Sequence, residues 1–207
     1  GQTTPYLLSR GLTVTGLDLS PGQIAIFRGQ FPQCEAVCAS VTDSHLPSAS
    51  FDYAVVVGGL HHVHPHVREA LDEICRILKP GGYLCFVEPH KGSLPDLARQ
   101  VWYRHDSMFQ SNEAALDLPE LKRAFQSRFE FELERYSGNL AYLFVYNSLI
   151  FRIPLWIKPY YTPLLMGLEP LLAKFQPRCL SCYVVGRWRK RFPACEDTDS
   201  KRGSSTH

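Results

Sequence analysis

The chain has no uninterrupted apolar run long enough to cross a bilayer. Its most apolar stretch, Leu140 to Ile157, is broken by Asn147, Arg152 and Pro154, whereas a spanning helix needs about 20 consecutive apolar residues. A charge excess is also missing. A formal net charge of +2 over 207 residues singles out no polyanionic partner, so no nucleic acid is expected. Nor is there a disulfide framework. The seven cysteines are odd in number and scattered through expected strands and helices, which is the pattern of reduced thiols in a cytoplasmic protein. Gly1 to Arg10 shows no charged start followed by an apolar segment and does not read as a secretory signal. What remains is the balance of one globular domain, 45% hydrophobic and 20% charged.

Local signals then mark the elements. Thr4 before Pro5 predicts a helix cap and a helix to Arg10, stopped by Gly11. Leu12–Leu17 alternates like a short strand, Ser20-Pro21 opens a second helix, and Glu35–Ala39 reads as another strand. Phe51–Val57 is nearly continuous in apolar residues, as in a strand covered on both faces. His66–Leu78 places Val67, Ala70, Leu71, Ile74, Ile77 and Leu78 on one helical face, and Pro80-Gly81-Gly82 reads as the turn into a buried strand, Tyr83–Val87. Leu94–Tyr103 and Leu118–Phe125 read as helices, and Phe129–Tyr136 as a half-exposed strand. After an apolar segment broken by prolines, Cys182–Trp188 reads as a last strand that closes antiparallel; the polar tail from Ala194 reads as disordered. Alternating strands and helices predict an α/β fold with a doubly wound, mostly parallel sheet. The expected divisions are a core over 1–136, an apolar insert over 137–178, a last-strand region over 179–193 and a tail over 194–207.

Four segments together resemble the class I S-adenosylmethionine-dependent methyltransferases, a Rossmann-like superfamily. They are Val14-Thr-Gly-Leu-Asp-Leu-Ser20, Leu46–Val57, Gly59-Leu-His-His-Val63, and Ile77-Leu-Lys-Pro-Gly-Gly-Tyr-Leu84. Their order and spacing match that family over roughly residues 1 to 136. The family opens with a hydrophobic strand and a glycine loop. Here Gly1-Gln-Thr-Thr-Pro-Tyr-Leu-Leu8 resembles the end of that loop and its helix, which implies an N-terminally truncated chain, the rival being a rearranged or degenerate relative. Without the missing central strand, two strand edges are expected to stay unpaired, part of the core uncovered, and cofactor binding weakened.

The resemblance implies S-adenosyl-L-methionine as cofactor, transferring its methyl group to a small-molecule acceptor. It places Asp18, with Leu19 beside it, on the ribose; the other reading of Asp18 is a cap for the helix opening at Pro21. It places an acidic residue such as Asp43 at the adenine amino group, with Thr42 or Ser40 as substitutes. Gly1 belongs with the cofactor, and Gly58, Gly59 and Leu60 lie beside its methionine part. His62 is a candidate general base or acceptor-lining residue, or else a structural histidine at a strand end. Glu88 and His90 end the fourth visible strand and are candidates for touching the acceptor; Tyr103, Arg104 and His105 follow. Asp52 and the Pro-Gly-Gly turn are read as structural. No metal is expected: His61, His62, His64 and His66 are irregularly spaced without a paired carboxylate or cysteine, and Cys179-Leu-Ser-Cys182 has no second pair. The basic run Arg187–Arg191 could meet RNA or anionic lipid, or simply form a solvated strand.

The aromatic-rich segment 139–175 must bury itself somewhere. A lid over an apolar acceptor, a membrane-surface or dimer contact, and simple packing on the sheet are all open. Two other functions also remain open, an NAD-dependent oxidoreductase and a catalytically inactive cofactor-binding or scaffold module.

Overall fold

The computed structural model describes residues 3–103, 114–146 and 152–193. Helix α1 (Thr4–Ser9) leads to β1 (Thr15–Asp18), α2 (Pro21–Gln30), β2 (Glu35–Cys38) and β3 (Phe51–Val57). A short 3-10 turn (Leu60–His62) precedes α3 (Val67–Ile77) and β4 (Leu78–Glu88), followed by α4 (Leu94–Tyr103), α5 (Leu118–Phe125) and β5 (Phe129–Ser137). A π-helical turn (Tyr142–Tyr146), α6 (Lys158–Phe175), a 3-10 turn (Arg178–Leu180) and β6 (Tyr183–Lys190) complete the order. No described helix is long and apolar enough to cross a membrane.

The strands form two sheets. β1 and β2 pair in parallel, and β3-β4-β6-β5 make a second sheet in which β3 and β4 are parallel and β6 runs antiparallel to both neighbours. β1 and β3 therefore each have one paired edge, as the reading of the first strands anticipated. The large core belongs to the second sheet. Leu71, Ile74 and Leu78 from α3 and the start of β4 meet Leu84, Phe86, Phe129, Val184 and Trp188. Trp188 is 1% exposed, with the rings of Phe86, Phe131 and Phe129 at 5.2, 4.8 and 6.0 Å.

Several local expectations are corrected. Thr3, not Thr4, is the cap position of α1; its side chain caps nothing, and Thr4 is buried inside the first turn. β3 is not covered on both faces. Phe51, Ala54 and Val56 pack on the core, while Tyr53, Val55 and Val57 are exposed, because no described helix lies over that face. The Pro80-Gly81-Gly82 segment is not a separate turn but a bulge inside β4: Phe51 pairs with Leu78 and Tyr53 next with Tyr83, so Asp52 faces the loop of extra residues. Gly81 sits at φ +80°, and a Cβ on Gly82 would lie 3.1 Å from the Asp52 carbonyl. Asp52 is structural as expected, holding Lys79 Nζ at 2.9 Å.

In the insert, Ala141 and Val145 are buried. No residue of α6 is buried. The polar tail from 194 and residues Arg104 and His105 lie outside the described residues, as does the side chain of Tyr103.

Candidate functional site

The turn after β3 is organised by one carboxylate. Glu88 ends the central strand β4 and is 1% exposed. Its Oε1 accepts the backbone N–H of Gly59 at 2.7 Å and of Leu60 at 2.9 Å. Its Oε2 accepts the N–H of His61 at 3.3 Å and lies 2.8 Å from His61 Nδ1. A carboxylate that faces three amide donors acts purely as an acceptor, so the proton of a neutral His61 belongs on Nδ1 and the lone pair on Nε2. Gly58, at φ +62°, turns the chain out of the strand, and its N–H donates to the Val87 carbonyl at 2.9 Å.

This arrangement reassigns part of the expected site. Glu88, expected near the acceptor, is buried, and four donors commit it to the turn. Leu60, expected beside the cofactor, has its side chain 2% exposed in the core and its amide held by Glu88. His90 is equally enclosed, at 1% exposed. Its Nε2 lies 2.7 Å from Ser181 Oγ and its Nδ1 3.3 Å from the Lys91 carbonyl, with the Tyr136 ring edge-on at 4.8 Å. Burial pushes its pKa down. His90 thus ties the end of β4 to the entry of β6. His62 is exposed, and its ring lies tilted at 38° against that of His61, centroids 3.9 Å apart. Among the described residues no group of three or more His, Cys, Asp or Glu is arranged to hold a metal.

Asp18 stands exposed at the carboxyl end of β1. Its Oδ1 accepts the Ser20 N–H at 2.8 Å. The cap of α2 is Ser20, whose Oγ accepts from Gln23 N, so the cap reading of Asp18 passes to its neighbour. Leu19 beside it is 72% exposed. After β2, the Ser40 and Thr42 hydroxyls are 2.7 Å apart, and exposed Asp43 pairs with His45 at 3.2 Å. Gly1 lies outside the described residues.

One structural anchor escaped the sequence reading. Ser44, fully buried, gives its N–H and Oγ to Glu73 Oε1 at 2.9 and 2.5 Å. Arg76 reaches the same carboxylate at 2.7 Å and also the Leu46 carbonyl at 2.6 Å. The Arg76 guanidinium, with Ser44, holds Glu73 at about 2, below its ordinary 4.5. The visible signal was a lone glutamate within the otherwise apolar face of α3. In the Arg187–Arg191 run, Arg187 pairs with Glu132, Trp188 fills the core, and Lys190 donates to the Leu78 carbonyl at 2.6 Å.

A shallow hollow lined by Arg28, Pro32, Cys34 and Glu35 lies at the amino end of β2, opposite Asp18. In open α/β sheets ligands bind beyond the carboxyl ends of the strands, so this hollow is the wrong end for the chemistry. The residues that collect at carboxyl ends are an exposed carboxylate, an apolar neighbour, two hydroxyls and a glycine turn. Such a set suits a nucleoside: the carboxylate for a ribose diol, the apolar and hydroxyl groups for a base.

Comparison with known proteins gives the same direction. A family model described as a methyltransferase domain matches residues 1–86. The chain is 34% identical over 119 residues to malonyl-[acyl-carrier protein] O-methyltransferase of Enterobacter lignolyticus, covering 55% of this chain and 47% of that protein. It is 28% identical over 132 residues to a ubiquinone/menaquinone biosynthesis C-methyltransferase of Campylobacter jejuni, covering 59% and 56%. The chain spans about half the length of the curated relatives it matches. A solved S-adenosylmethionine-dependent methyltransferase of Methanosarcina mazei shares its fold, with a TM-score of 0.61 over 92% of this chain and 87% of that one at 18% identity. Its motifs and strand order, with the methyltransferase-domain match over residues 1–86, make the chain similar to the class I S-adenosylmethionine-dependent methyltransferases.

Proposed function

We propose that this protein transfers a methyl group from S-adenosyl-L-methionine to a small-molecule acceptor, and that His61 is its general base. The reading rests on the buried Glu88 carboxylate, which fixes the ring of His61 through Nδ1 at 2.8 Å. A ring held this way presents Nε2 as the proton acceptor without needing to reorient. The sulfonium cofactor, when bound, supplies its own leaving group. The chain's part is then to grip, align and deprotonate.

Asp18 accepts the ribose hydroxyls through the carboxylate oxygen that Ser20 does not use, with Leu19 against the adenine face. Thr42 and Asp43 offer the base a hydroxyl and a carboxylate acceptor. Gly58 and Gly59 let the backbone approach the methionine end. His61 Nε2 takes the proton that an oxygen, nitrogen or activated carbon acceptor gives up as the new bond to the methyl carbon forms. The relatives named above act on an acyl-carrier thioester acid and on a quinone precursor, so those two chemistries head the acceptors to assay.

Calorimetry with S-adenosylhomocysteine and with NAD separates this reading from a dehydrogenase: binding of NAD alone would refute it. Methyl transfer from labelled cofactor is then measured for His61→Asn and His62→Asn. Loss of a proton-transfer group lowers turnover roughly 10²–10⁴-fold, and we expect that loss at His61 with cofactor affinity retained. The same loss at His62 alone would move the base by one residue.

A further inference from the structure

We infer that α6 docks on an anionic membrane surface, with its axis in the plane of the headgroups. Tyr160, Leu164, Leu168, Leu171 and Phe175 follow one another at intervals of four, four, three and four residues, so they share one face of the helix. All are exposed, from 37% for Leu168 to 82% for Tyr160. The helix is held to the protein by Glu169, toward the opposite face, and by Tyr161, at the border of the stripe. Glu169 accepts the N–H groups of Asn139 and Ala141 at 3.2 and 3.0 Å, and the Tyr161 hydroxyl donates to the Phe144 carbonyl at 2.7 Å. With these bonds made, the apolar stripe faces outward and is not folded over the sheet. Trp156, 73% exposed, stands immediately before the helix.

Charge selects the occupant. Lys158 and Lys174 stand at the two ends of the stripe, and the segment's single carboxylate, Glu169, is the one turned inward on backbone amides. An apolar face bordered by cations and preceded by tryptophan matches the interface of a bilayer that contains anionic lipid. A second copy of the chain fits less well, since a symmetric contact would bring the same cations together. The helix is too polar at its flanks to span a membrane, so the contact is on the surface. Nothing in this inference depends on the methyl-transfer chemistry.

Flotation of the full chain with vesicles of phosphatidylcholine, with and without phosphatidylglycerol, tests it. Wild type should float with the anionic vesicles, less so in high salt. Each lysine near such a surface contributes about 1 kcal/mol, so Lys158→Gln with Lys174→Gln should weaken partitioning roughly 20-fold to 30-fold. Leu164→Asp with Leu171→Asp, both at exposed positions, should abolish flotation while circular dichroism and thermal unfolding stay unchanged. Three outcomes would overturn the proposal: wild type left in the soluble fraction, equal recovery on neutral vesicles, or variants that float like wild type. A dimer by light scattering that the leucine variants dissociate, with no flotation, would assign the stripe to self-association instead.

Discussion

The two halves of the molecule are built to different standards of burial. Between residues 3 and 43 only Thr4 and Ile24 are buried, and β1 and β2 pair only with each other. From Ser44 onward, α3, α5 and four strands enclose a core with Trp188 at its centre. Yet the candidate site draws on both halves: Asp18 and Leu19 from the sparse one, Glu88 and His61 from the dense one. In the proposed reading, stability and recognition fall to different parts of the chain: the dense half would hold the base, and the sparse half would present the groups that meet a nucleoside.

The comparison can be broken most directly in the core. Trp188→Ala should cost about 3–5 kcal/mol in urea denaturation, whereas removing Ile24, the sole buried hydrophobic of the first half, should cost less. Equal costs would erase the distinction between the halves. Trp188→Phe should be milder than the alanine change, because the indole N–H has no partner to lose.

Next in size is the turn. Glu88→Gln puts an amide NH2 against backbone donors and should cost about 1.5–3 kcal/mol. It should also lower methyl transfer, because His61 loses its partner. A variant that is stable but slow would separate positioning from folding.

Glu73 gives a smaller effect with a pH signature. Its folded-state pKa of about 2 lies below its ordinary 4.5, so the stability it contributes is complete above pH 4.5 and is lost as the pH falls through 2. Glu73→Gln should flatten that part of an acid-unfolding curve and loosen the loop that carries Thr42 and Asp43. An unchanged acid limb would show that the Ser44–Glu73–Arg76 cluster matters little.

Asp18→Asn should have the smallest effect on stability, within about 0.5 kcal/mol, since the side chain is exposed. Its effect on S-adenosylhomocysteine affinity should be roughly tenfold or more. Hydrogen exchange should also show weaker protection in β1 and β2 than in β4 and β6. Matching protection would mean that the first half is better supported than its burial suggests.

Much of this fold was legible because it is written in local periodicity. The apolar face from Val67 to Ile77 specified α3, and the alternation of Phe129 to Tyr136 specified β5, since both patterns follow from backbone repeat alone. The continuous run in β3 misled for a reason of the same kind. Valine favours strands whether or not a helix covers it, so Val55 and Val57 could not announce their exposure. Pro80-Gly81-Gly82 showed irregular backbone but not whether it was a turn or a bulge, because that depends on which residues of β3 lie opposite.

The sequence by itself determined the element order, the resemblance to a methyltransferase family, and Asp18 as a strand-end carboxylate, all properties of residue type and spacing. Only the tertiary structure decided that Glu88 and His90 are enclosed, that Glu88 holds His61, and that α6 turns its apolar stripe outward. Those outcomes depend on hydrogen bonds between residues about 30 to 90 positions apart. Such partners are chosen by the packing of strands and helices, and no local pattern around either residue records the choice.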